Sequence, residues 1–114
     1  MSLFHFRTRS PARDAETDAS RLQRLERLFH ELGQEIERER DGLRDRYDKV
    51  MADAAFSQQA LEEDRADATI SSKIDAMTNT MKHYTARLNS LETQLTFLAE
   101  LRGRVDEFSR GNTD

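Results

Sequence analysis

Two stripes of large apolar residues, out of phase with each other, limit what this chain can fold into. Over 70–98 an apolar residue recurs every three or four positions without a gap. Over 22–50 the same spacing holds with one interruption, at Glu39 and Arg40, and the stripe ends at Leu61. Alternating spacings of three and four are typical of helices that pack along one seam in a coiled coil.

The segment between Leu61 and Ile70 has no large apolar side chain. At about 100° per residue, the nine steps between these two residues turn a helix by a net half-turn. One continuous helix would therefore place its two stripes on opposite sides. A chain reversal brings the stripes face to face, and a reversal near residue 66 aligns them along their whole length. We predict an all-α fold, an antiparallel two-helix coiled-coil hairpin; the alternative is a single rod-like helix, about 140 Å long.

Capping and turn signals give the predicted boundaries. Proline is absent after Pro11, so both helices can be long. The expected divisions are a flexible basic arm over 1–13, a hairpin over 14–110 with helices at about 14–64 and 70–109 and a turn at about 65–69, and a tail over 111–114.

The apolar positions at seam spacing are expected to lie between the two helices. On the first helix they are Leu25, Phe29, Leu32, Ile36, Leu43, Tyr47, Val50 and Leu61. On the second helix they are Ile74, Met77, Met81, Tyr84, Leu88, Leu91, Leu95, Leu98 and Val105.

Composition points to self-association. Leu, Ile, Val and Phe make up only one fifth of the chain, near the limit at which a chain stops folding alone. A lone hairpin buries one stripe per helix, which barely offsets the conformational entropy lost on folding. We expect two chains to form a four-helix bundle as a homodimer. The candidate partner or oligomer surface comprises Leu28, Phe97, Leu101 and Phe108, together with Thr78 and Thr85 on the charge-poor outer side of the second helix.

No constellation of residues indicates catalysis, a cofactor or a metal. There is no cysteine, no Gly-rich phosphate loop, and no Glu-x-x-His pair of the kind that builds metal sites between helices. Glu26 and His30 share a helix face, but a single such pair is common by chance on a charged helix. We expect a non-enzymatic protein.

The net charge of −4 argues against a nucleic-acid or membrane partner for the body of the protein. Two alternatives rest on the N-terminal arm: a nucleic-acid-associated helical dimer, and a peripheral membrane component. No apolar run is long enough to span a membrane, and the start does not resemble a secretory signal, so we expect a cytoplasmic protein. The candidate arm contacts are Phe4, Phe6, Arg7, Arg9 and Arg13.

These patterns favour a protein–protein interaction, scaffold or adaptor protein of the coiled-coil type, with an unidentified protein partner. In its predicted shape the chain resembles the small coiled-coil adaptors and chaperones of bacterial secretion and flagellar export systems. That resemblance is at the level of the fold and implies a chaperone-like role.

Overall fold

The computed structural model describes residues 10–63 and 68–111. These residues form two helices, α1 over Pro11–Glu62 and α2 over Ala68–Gly111. The described residues include no strand. The predicted all-α helical hairpin is confirmed, and α1 and α2 replace the single rod-like helix of the alternative.

Helix α1 begins three residues earlier than the predicted residue 14. Ser10 is its N-cap, because the backbone N–H of Arg13 donates to the Ser10 Oγ at 3.1 Å. Pro11 follows at the first helical position, where the missing N–H has no helical partner to lose. Arg13, predicted to belong to the flexible arm, therefore lies in the first turn of α1.

Helix α2 is longer than predicted at both ends. It begins at Ala68 rather than at about residue 70, so Thr69 is helical and not part of the turn. It ends at Gly111, the first residue of the predicted tail. The rest of the predicted turn and tail, 65–67 and 112–114, lies outside the described residues.

The described residues divide into two compact units. The terminal unit contains the described residues up to Gly33 together with those from Phe97 onward, and the central unit contains those within Gln34–Thr96. The start of α1 thus packs with the end of α2, which is the pairing of an antiparallel hairpin. No described part of either helix is long and apolar enough to cross a membrane.

The central unit is packed around Leu43 and Leu91, which are 9% and 1% exposed. The other predicted seam residues of this unit are half-buried, since two helices can cover only one side of each other. They are Ile36, Tyr47, Val50, Leu61, Ile74, Met77, Met81, Tyr84, Leu88 and Leu95.

The interruption predicted at Glu39 and Arg40 is a seam position filled by an arginine. The Arg40 side chain is only 22% exposed, and it lies four residues after Ile36 and three before Leu43. Its guanidinium is 3.1 Å from the Asp41 carboxylate and 3.8 Å from that of Glu92. The hydrogen bond to Asp41 raises the pKa of Arg40, against a smaller opposing effect of desolvation. The aliphatic stem can therefore cover the seam while the charge stays paired.

Ion pairs flank the seam of the central unit on both sides. Arg44 and Glu92, each one residue after a buried leucine, pair at 3.1 Å. Glu39 and Arg87, each four residues before the same leucines, pair through two hydrogen bonds of 2.6 and 3.0 Å. Residues at the same offset from the buried leucine of each helix thus face each other, as expected when two helices pack in antiparallel directions. These pairs add specificity for this arrangement more than they add stability, because exposed pairs are screened by water and salt.

The hydrogen bonds from Arg87 lower the pKa of Glu39, and desolvation opposes this shift. A carboxyl with a lowered folded-state pKa stabilises the fold above its unfolded pKa of about 4.3. That contribution to stability is lost as the pH falls through the lower pKa that Glu39 has in the folded state.

We expect Arg87→Met to return the pKa of Glu39 toward its usual value, measured by NMR titration of the side-chain carboxyl. Arg102→Met, on the same helix, serves as the control, and an unchanged pKa of Glu39 in the Arg87 variant would contradict the assignment.

The terminal unit is packed around Phe29, which is 9% exposed. The predicted seam residues Leu32, Leu98 and Val105 are half-buried. Leu25 is more open than the other predicted seam residues, at 37% exposed. It lies at the edge of the seam, on the side where the exposed hydrophobic residues of this unit collect.

Candidate interaction surfaces

The described residues hold no group of three His, Asp or Glu side chains arranged to bind a metal ion. Their cavities are shallow depressions along the helix pair, each lined within one unit. What the surface does offer is two faces with distinct chemistry, one in each unit.

The first face is an apolar strip in the terminal unit. Phe108, Phe97 and Leu28 are 62%, 57% and 48% exposed. Leu25 and the half-buried Leu101 border them. We call these five residues the terminal apolar strip.

Helix geometry places the members of the strip on one side of the unit. Taking about 100° per residue, Leu25 and Leu28 lie about 40° and 100° to one side of Phe29 on α1. On α2, Leu101, Phe108 and Phe97 lie about 40–80° from Val105 in the same rotational sense. In antiparallel helices the same side of each seam comes together, so the strip residues of α1 lie next to those of α2.

The position of Phe108 supports this continuity. Phe108 lines a pocket of about 330 Å³ together with Asp18, Arg21 and Leu22 of α1. Arg21 is 3.8 Å from Asp18 on its own helix. The Phe108 ring therefore lies beside α1, and the strip crosses from one helix to the other.

Leu101, predicted for the partner or oligomer surface, is half-buried and lies three residues after the seam residue Leu98. Phe56 is not among the predicted surface residues, although at 77% it is the most exposed large hydrophobic residue among those described. The sequence does indicate an exposed Phe56, because its position does not follow the three- and four-residue spacings of the apolar stripe. Met51, 44% exposed, is a further open apolar side chain of the central unit.

The second face, which we call the threonine face, lies on the central unit. It surrounds a groove of about 430 Å³ lined by Tyr47, Thr78, Met81, Lys82, Thr85, Ala86 and Asn89. Thr85 is exposed and Thr78 is half-buried. The Thr78 hydroxyl donates to the Ile74 carbonyl at 2.9 Å, so its own helix satisfies it. The face combines small side chains with a single cation, Lys82.

The four remaining arm contacts, Phe4, Phe6, Arg7 and Arg9, lie outside the described residues. The nucleic-acid and membrane alternatives depend on them. Arg13 is exposed at the start of α1.

Comparison with protein-family models, with curated proteins and with solved structures finds no match for this chain.

Proposed function

We propose that this chain is a non-enzymatic interaction protein of the adaptor type, a helical hairpin that pairs with a second copy into a four-helix bundle. The observation that carries the proposal is how little the hairpin buries. Among the described residues, the buried hydrophobic side chains are Phe29, Leu43 and Leu91. A native domain of this size needs a larger core, because folding must offset the entropy of ordering about a hundred residues.

The threonine face supports the adaptor part of the proposal. Small side chains allow the backbone of a docking helix to come close, and the Tyr47 and Met81 side chains offer apolar contact beside them. A protein helix that presents an apolar stripe fits this groove. Lys82 at its border favours an acidic residue at the edge of that stripe.

Sedimentation velocity over a range of protein concentrations tests self-association. We expect a dimer at micromolar concentration, and a melting temperature that rises with concentration, because assembly stabilises the folded chain by mass action. Helical content followed by circular dichroism should fall together with the dimer on dilution. A fully folded monomer at these concentrations, with a melting temperature independent of concentration, would contradict the proposal.

A further inference from the structure

We infer that the terminal apolar strip is the contact surface between two copies of the chain, an inference that rests on the self-association proposed above. The strip holds three of the most exposed large hydrophobic residues described, Phe108, Phe97 and Leu28. They lie on one side of one compact unit. Contiguous exposed apolar patches of this kind mark protein interaction sites.

The area of the strip suits this role. A phenylalanine side chain buries on the order of 200 Å². At the observed exposures, the strip leaves on the order of 400 Å² open, as much as the largest patch of a typical monomer. Two strips packed against each other would bury about 800 Å² of apolar surface, and their polar borders would supply the rest of the roughly 1,200–2,000 Å² of a specific interface.

The charges around the strip favour a second copy over a strongly charged partner. Helix geometry places the exposed Arg21, Arg24 and Arg104 beside the strip, and the exposed Glu31 and Glu100 just beyond them on the same two helices. A border that carries both signs can pair with itself across a two-fold axis. An acidic peptide or an anionic membrane would meet those glutamates.

The residue types fit the centre of an interface. Two phenylalanines flanked by leucines form an apolar centre, and arginine is enriched in interfaces relative to the rest of the surface. From Phe97 to Phe108 the strip spans about 16 Å of α2.

The test compares the double variant Phe97→Ser/Phe108→Ser with two controls by sedimentation equilibrium. Phe56→Ser removes a ring that is still more exposed but lies in the central unit. Thr85→Glu places a charge on the threonine face. We expect the double variant to weaken dimerisation at least 100-fold, because aromatic residues at the centre of an interface carry most of its affinity. Both controls should associate like the unmodified chain.

A second measurement keeps both phenylalanines of the strip in place. The chain contains no cysteine, so a single introduced cysteine can be cross-linked without side reactions. With a short bismaleimide reagent, Leu28→Cys should give a covalent dimer and Phe56→Cys should not. Dimerisation that survives the double variant, or that is lost in Thr85→Glu instead, would overturn the inference while leaving self-association intact. An unmodified chain that is monomeric would refute the proposed function itself.

Discussion

Leu91→Ala should lower the free energy of unfolding by about 3–5 kcal/mol. Leu91 is 1% exposed, the most completely buried side chain among those described. Truncation removes the transfer free energy of the lost methyl and methylene groups and leaves a cavity between two long helices that can relax only in part. For a domain of this size, a loss of this magnitude approaches the whole stability of the fold.

Urea unfolding followed by circular dichroism at a fixed protein concentration measures this loss. Leu88→Ala, one turn away and half-buried, should cost clearly less. Phe56→Ala, at a side chain that is 77% exposed, should change stability by no more than about 0.5 kcal/mol. Equal losses in the Leu91 and Leu88 variants would show that the core is not centred on Leu91.

Replacing three helical glycines by alanine should have the largest effect in the opposite direction. Gly33, Gly42 and Gly103 lie inside α1 and α2. A Cβ built on each of them meets nothing within 4 Å. Alanine is favoured over glycine inside a helix by about 0.5–1 kcal/mol, because it restricts the unfolded chain and covers the backbone. The triple variant should therefore gain about 1.5–3 kcal/mol.

The same unfolding experiment, performed on each single variant and on the triple, measures this gain. The single gains should add, since the three positions are well separated along the helices. A loss of stability on Gly33→Ala or Gly42→Ala would mean that a bend or a second chain approaches the backbone there. Gly42 is the more informative of the two, because it adjoins both Leu43 and the Arg40 pairs.

The path of the chain could be predicted from its apolar spacing. The half-turn offset between the stripes requires a reversal, and the structure has two helices with the gap at the expected place. The helix boundaries were less accurate, because they depend on single hydrogen bonds. The Ser10 cap ahead of Pro11 moved the start of α1 by one turn.

The role of Arg40 could not be predicted, because spacing rules score an arginine as a break. Whether a long charged side chain can occupy a seam depends on partners from the other helix. Here Glu92 of α2 lies close to both Arg40 and Arg44. The position of Glu92 beside these arginines depends on the register of the two helices, which cannot be read from a local sequence pattern.

The amino-acid order alone determined two long helices, the side of each that faces the other, and the antiparallel direction, because these follow from the periodicity of the helix and the phase of the stripes. Only the tertiary structure decided which individual side chains beside the seam pair and which stay open. That choice joined Leu28 on α1 with Phe97 and Phe108 on α2 into one strip, and paired Glu39 with Arg87. The physical reason is that both helices contribute side chains to each side of the hairpin. Which of these side chains lie together therefore depends on the register between the two helices.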